Sequence, residues 1–185
     1  MGSTKQLLPA GGGILLERAL NAALGSDLDK VILVLGHQAE EIQWVLKQAF
    51  QNPKLEAVIN SQYKQGISTS IRAGLSKAKN FDHVMILLGD MPHIKSSLIN
   101  VLLHQYLDSR LPIGAIEVNA KRSHPVIFSR KLYAELERLR GDVGAKSLFE
   151  KYSDQLCLVE PEDYYDDRDI DTQKDFREFK DNLED

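Results

Sequence analysis

Val84-Met85-Ile86-Leu87-Leu88-Gly89-Asp90-Met91-Pro92-His93-Ile94 is the stretch whose reading decides the fold. Five apolar residues in a row, rich in branched side chains, predict a strand buried on both faces, the habit of parallel sheets. Gly89, Asp90 and Pro92 then end it abruptly. In open α/β sheets ligands sit in the crevice beyond the carboxyl ends of the strands. That places Asp90 at the rim of a rigid sheet, with Gly89 leaving room for a ligand to approach the backbone. On spacing alone the same residues also read as a strand that stops at a Gly-Asp turn.

Outward from this strand the pattern is βα alternation. Leu16, Ala19, Leu20, Ala23 and Leu24 fall on one helical stripe, closed by Gly25. Val31 to Gly36 predicts a second doubly buried strand, and Ile42, Val45, Leu46, Ala49 and Phe50 repeat the helical stripe. Ala57 to Asn60 reads as a short strand, Gly66 to Ser70 as a helix start, and Ser96-Ser97 as the cap of a helix burying Leu98, Leu102 and Tyr106. Ile113 to Val118 and Pro125 to Phe128 predict an antiparallel pair around a basic turn, Lys121-Arg122. A helix carrying Leu132, Leu136 and Leu139 follows, then one carrying Ala145, Leu148, Phe149 and Tyr152, for which Asp142 is a candidate cap. Leu156 to Val159 gives a last strand. Thr172 to Asp175 has capping-box spacing ahead of Phe176, Phe179 and Leu183. The predicted class is α/β, one domain over 1–185, with a Rossmann-like, doubly wound and mostly parallel sheet.

Composition sets the bounds. A chain of 185 residues can bury a core without disulfides or metal staples. A formal net charge of −4 and no basic stripe argue against nucleic acid as a partner. Apolar runs of five or six residues are too short for a membrane span, and no signal peptide is legible. The lone Cys157 in an apolar run reads as a buried strand residue in a reducing, cytoplasmic setting. Histidines at 37, 83, 93, 104 and 124 show no zinc-ligand spacing. Gly11 to Gly13 lack the Gly-Lys-Ser/Thr ending of a P-loop and read as a turn into the first helix.

Five segments in order resemble the molybdenum cofactor cytidylyltransferase-like, or MobA-like NTP transferase, family: Lys5-Gln6-Leu7-Leu8-Pro9, Gly89-Asp90-Met91-Pro92, His124-Pro125-Val126-Ile127-Phe128, Gly141-Asp142-Val143-Gly144-Ala145 and Asp169-Ile170-Asp171-Thr172. The resemblance implies a sheet of the nucleotide-diphospho-sugar transferase type and transfer of CMP from CTP to the terminal phosphate of molybdopterin. It implies that Asp90 and Asp171 hold Mg²⁺, with Asp169 as the other candidate for the second carboxylate. Gly2, Lys5, Asn60, Gly66, Ser68, Ser70 and Asp90 match the nucleotide-contacting positions, and His124 and Asp142 the acceptor side. Ser123 departs from the family, which has glycine before His-Pro. The Gly-Asp-Val-Gly-Ala segment favours the cytidylyl over the guanylyl branch.

Each segment also has a plain structural reading: a helix cap at Gly66 to Ser70, a turn residue at His124, and a solvated acidic loop at 163–171. The family's first strand and most of its glycine-rich loop have no counterpart from Met1 onward. The central strands are therefore expected to carry unpaired edges, the chain as given to self-associate and bind nucleotide weakly, and an upstream segment of roughly fifteen to twenty residues to complete the sheet.

The residue types suit the chemistry. Attacking phosphate and target α-phosphorus are both anionic, so charge must be offset first. Mg²⁺ is held by one or two carboxylates plus substrate phosphates, and Lys5 would offset charge developing on the α-phosphate. No general base is needed, since the attacking phosphate is already ionised. A transferase of this fold acting on a sugar phosphate or alcohol phosphate, and a non-catalytic accessory to a molybdoenzyme, are the rival readings.

Overall fold

The computed structural model describes residues 5–181. Lys5–Leu7 make one 3-10 turn, and the chain enters a hairpin of β1 (Pro9–Ala10) and β2 (Gly13–Ile14). Gly11 and Gly12 turn it with φ of 62° and 90°, the left-handed pair that two-residue hairpins require. Helix α1 (Leu15–Leu24) follows, its entry fixed by the Ile14 N–H donating to Glu17 Oε2 at 2.7 Å.

Strand β3 (Val31–Leu35) pairs in parallel with β4 (Leu55–Ile59) through the crossover helix α2 (Ala39–Val45). The helix is shorter than its stripe predicted. It closes at Leu46, Val45 turns outward, and Ala49–Gln51 form a separate 3-10 turn, because burying Ile42 and Leu46 already satisfies the apolar face. Helix α3 (Ile67–Lys77) leads to β5 (His83–Ile86), and α4 (Ser96–Ser109) leads to the hairpin of β6 (Ile113–Val118) and β7 (Lys121–Ser129). Its turn is Asn119-Ala120, both at positive φ, so Lys121-Arg122 open β7 and do not form the turn themselves. Helices α5 (Tyr133–Arg138) and α6 (Lys146–Lys151), strand β8 (Leu156–Val159) and helix α7 (Gln173–Asp181) complete the described chain.

The sheet order is β3-β4 in one piece and β5-β7-β6-β8 in another. The parallel pairs are β3–β4 and β6–β8, while β7 runs antiparallel to both its neighbours. The α/β class holds, with a more mixed sheet than the apolar runs implied. The two pieces share their covering layers. Val31 and Met85 pack against the cluster built on α1 and α4, whereas Ile32, Val84 and Ile86 pack against the one built on α3, α5 and α6. Alternate side chains of β3 and β5 thus face the same two layers, as they do in strands of one sheet.

Val84 to Leu88 is not buried on both faces as its composition predicted. The strand ends at Ile86, and all five residues are only half-buried. In contrast, Ile113 and Ile116 in β6 are 0% exposed. The cause is the edge: among the described residues β5 has a partner on one side alone, and so does β3. Ser96 is a second correction. Lys95 stands at the cap position of α4, and Ser96 Oγ donates instead to Ala22 O at 2.8 Å, tying α4 to α1. No helix among the described residues is long and apolar enough to cross a membrane.

Candidate active site

Beyond β5 the backbone passes through Gly89, where an added Cβ would meet Leu16 Cδ1 at 2.7 Å. The first turn of α1 therefore closes against the strand end, and a larger residue there would push it away. Asp90 follows. Its carbonyl accepts from the Ile170 N–H at 3.0 Å, and the Ile170 side chain is buried beside Ala10, Leu15 and Phe179. That single anchor carries the acidic segment back to the strand end and presents Asp169 and Asp171 on either side of it.

Lys5 enters the same point from the first described turn. Its Nζ lies 2.8 Å from Asp90 Oδ2 and 2.6 Å from Asp171 Oδ1. Asp90, Asp169 and Asp171 each offer a carboxylate oxygen within 4.8 Å of the others. Burial pushes the Asp169 carboxyl up, with the Asp171 charge adding to it. For Lys5 burial works to lower the pKa, but hydrogen bonds to Asp171 and Asp90 outweigh it and leave the ammonium more firmly protonated than usual. An all-oxygen donor set suits hard divalent ions, and the ammonium between two of the carboxylates shows that the position takes a cation. These residues fit a metal.

A second group forms around the amino end of α3. Gly66, at φ 104°, leaves no room for a Cβ, which would meet the Gly141 carbonyl carbon. The Ile67 N–H donates to Asp142 Oδ1 at 3.0 Å and the Ser68 N–H to Gly141 O at 3.2 Å. Asp142 thus caps α3, not the helix that follows it in sequence. Asn60 is buried and donates its side-chain amide to Thr69 Oγ1 (2.8 Å) and Ser70 Oγ (3.0 Å), while its Oδ1 accepts from the Gln62 N–H. Ser68 is fully buried, and its Oγ has no hydrogen-bond partner among the described residues.

His124 precedes a cis peptide to Pro125. Burial holds its imidazole below the usual histidine range, and Nδ1 lies 3.3 Å from Ile86 O, placing the ring against the end of β5. It lines a cavity of about 910 Å³ together with Leu88, Val126, Ile67, Val143 and Phe149. The cavity has Ile86 and Leu88 of the strand end on one side, and α3 with the loop held by Asp142 on the other; Lys5 and the three aspartates do not line it, and Asp169 and Asp171 line a smaller cavity of about 240 Å³. Sequence reasoning missed the charged lining of the larger cavity, Lys121, Arg122 and Lys146 beside Glu117 and Glu150. The adjacent pair 121–122 and the lysine closing the Gly-Asp-Val-Gly-Ala segment were the available signals. Arg122 stacks over the Phe149 ring at 4.6 Å.

Of the residues singled out from sequence, direct contacts join Lys5, Asp90 and Asp171, with Asp169 beside them. Asn60, Gly66, Ser68, Ser70 and Asp142 assemble separately at α3. Gly2 lies outside the described residues.

Comparison with known proteins fits this geometry. Nicotine blue oxidoreductase of Paenarthrobacter nicotinovorans is 27% identical over 174 residues, covering 91% of this chain and 83% of its own. Purine catabolism protein PucB of Bacillus subtilis is 26% identical, covering 95% and 87%. The crystal structure of Rv0371c from Mycobacterium tuberculosis in complex with manganese superposes with a TM-score of 0.79 at 25% identity, covering 97% of this chain and 93% of that one. The model of the MobA-like NTP transferase domain matches residues 1–156, and the chain belongs to that family of nucleotidyltransferases.

Proposed function

We propose that the protein transfers CMP from CTP to the terminal phosphate of molybdopterin, releasing pyrophosphate, with Mg²⁺ held by Asp90 and Asp171. The observation that carries this reading is the Lys5 ammonium seated between those two carboxylates, 2.8 Å from one and 2.6 Å from the other. It supports a site that handles cations and phosphates at the end of a strand. When bound, the metal would neutralise triphosphate charge. Lys5 is within a side chain's swing of the same place and is the group that meets charge developing on the α-phosphate. The amino end of α3, with Asn60, Gly66, Ser68 and Ser70, offers backbone N–H groups and hydroxyls to the nucleotide.

The acceptor reading draws on the cavity beside His124. Its apolar lining comes from Ile67, Ile71, Ile86, Leu88, Val126 and Leu156, and its charged lining is mixed: Lys121, Arg122 and Lys146 with Glu117 and Glu150. An acceptor with a ring body can lie on the apolar side chains with its anionic group toward Lys121, Arg122 and Lys146, and its polar edge toward Glu117 and Glu150. His124, neutral and with Nδ1–H donating to Ile86 O, presents Nε2 as an acceptor for an O–H or N–H of the bound acceptor, and Asp142 holds the opposite wall.

Pyrophosphate release from CTP, measured with molybdopterin and in parallel with sugar and alcohol phosphates, tests the reading. Release with molybdopterin alone is expected. Turnover only with a sugar phosphate would move the acceptor assignment, and an absence of metal-dependent CTP binding would leave an accessory role for a molybdoenzyme.

A further inference from the structure

We infer that Lys5 makes the carboxylate triad selective for a divalent ion that arrives with a triphosphate, against the same ion alone. The inference rests on the metal-dependent reading above and concerns the order in which its two ligands can bind.

The geometry poses a competition. Lys5 Nζ makes charge-assisted contacts to Asp90 Oδ2 and Asp171 Oδ1, on two of the three carboxylates grouped for a metal. Lys5 and Asp90 are mostly shielded from solvent, with side chains 28% and 18% exposed, so their attraction is screened less than that of a surface pair, whereas Asp171 is 62% exposed and its contact is the weaker one. A divalent ion and an ammonium held by the same two carboxylates repel each other strongly at that separation. The metal therefore enters only as Lys5 leaves.

The backbone around the lysine is fixed while its arm is not. Leu7 packs against the cluster of Leu16, Leu20 and Leu35, and the Leu8 N–H donates to Lys5 O at 3.1 Å. The carboxylates are held from the other side by the bond from the Ile170 N–H to Asp90 O. The four-carbon side chain is the part free to move. Leaving Asp90 and Asp171 for water forfeits two charge-assisted hydrogen bonds. Leaving them for a triphosphate replaces those bonds with new ones. Free metal must bear the cost of displacing the ammonium, whereas metal plus triphosphate does not. The two ligands then favour each other reciprocally.

The test is Mn²⁺ binding followed by electron paramagnetic resonance, with and without a non-hydrolysable α,β-methylene CTP. Wild type is compared with Lys5→Met, which keeps the arm and removes the charge, and with Lys5→Arg, which keeps the charge. For wild type, Mn²⁺ alone should bind weakly and the analogue should tighten it by about 5- to 150-fold, the usual span of coupling between sites. Lys5→Met should bind Mn²⁺ alone more tightly than wild type, with the enhancement by nucleotide reduced. Lys5→Arg should retain the wild-type order. A residue that merely supports the site would lose metal affinity on substitution, so the direction of the change is decisive. Equal or weaker Mn²⁺ binding by Lys5→Met, with a wild-type melting curve, overturns the inference and leaves metal-dependent transfer standing. If Lys5→Met melts early, Lys5→Gln replaces it under the same criterion. No Mn²⁺ binding by any of the proteins, with or without the analogue, overturns both.

Discussion

Lys5 Nζ and Asp90 Oδ2, distant in sequence, stand 2.8 Å apart, and the contact joins the first described turn to the end of β5. Asp90 is fixed there by its backbone: Gly89 admits α1, and the Asp90 carbonyl receives the Ile170 N–H. Asp90→Asn keeps the shape and those backbone contacts but removes one charge from the triad. Nucleotidyl transfer should slow by about a hundredfold or more, its activation free energy rising by about 3 kcal/mol. The melting temperature should barely move. Wild-type rates in the asparagine variant would remove Asp90 from the chemistry.

Lys5→Ala separates two ways of touching a phosphate. A group engaged mainly as the α-phosphate bond breaks lowers kcat far more than it weakens nucleotide affinity. That is the expected outcome for Lys5, read from steady-state rates set beside CTP titration without metal, where the coupling between metal and nucleotide does not enter. A change confined to KM would make Lys5 a contact of the bound substrate only.

Asp142 Oδ1 and the Ile67 N–H, 3.0 Å apart, make a cap between segments that sequence does not connect. Asp142→Ala removes it and should cost about 1 kcal/mol of stability, seen as a lower urea midpoint at unchanged slope. The loop bearing Val143, Gly144 and Ala145 lines the cavity beside His124. The same variant should therefore weaken acceptor use more than CTP binding. An unchanged midpoint would mean the cap contributes nothing in solution.

His124 and His93 give the fold an acid limit. Burial lowers both imidazoles from 6.5; nearby Asp90 partly opposes this for His124, and Asp166 does so for His93, where Arg18, Arg168 and Lys95 reinforce the lowering. Each is neutral when folded at a pH where the unfolded chain takes up a proton. Stability is then complete above about pH 6.5 and falls as pH drops through that value, until the folded imidazole protonates in turn. Denaturation midpoints between pH 7.5 and about 5 should show the loss, and His124→Gln should flatten part of it. An identical slope in that variant would assign the loss elsewhere.

The sequence was most legible where short-range pattern decides structure. Apolar runs located β3, β5, β6 and β8, and the Thr172–Asp175 capping box appears as the Asp175 N–H donating to Thr172 Oγ1 and the Thr172 N–H to Asp175 Oδ2. It was least legible where a side chain chooses a distant backbone. Asp142 and Ser96 both sit beside helix starts, yet one caps α3 and the other bonds α1. Local spacing cannot rank a neighbouring N–H against one brought near by folding. The acidic segment shows the same split. Its composition announced carboxylates, but the anchor that aims them, buried Ile170, carries no charge. Residue type gave the triad, and only packing gave its alignment with Lys5.

The burial of β3 and β5 leads to the last expected outcome. In β3 the Val31 N–H donates to Lys54 O and Leu35 O accepts from the Asn60 N–H, so odd-numbered residues bond toward β4. Ile32 and Val34 must point their amides the other way. In β5 the Asp82 carbonyl accepts from the Arg130 N–H, which sends even-numbered residues toward β7 and leaves Met85 and Leu87 facing outward. Neither outward edge has a strand partner among the described residues, and the side chains flanking both are apolar. Such edges pair readily with another chain. The chain of residues 1–185 should therefore self-associate in a concentration-dependent way by sedimentation. The amides of Ile32, Val34, Met85 and Leu87 should exchange fast at low concentration and slow down as the oligomer forms. A monomer at every concentration, with those amides protected throughout, would mean that the two edges are satisfied within a single chain, and the account of why β5 is half-buried would fall with it.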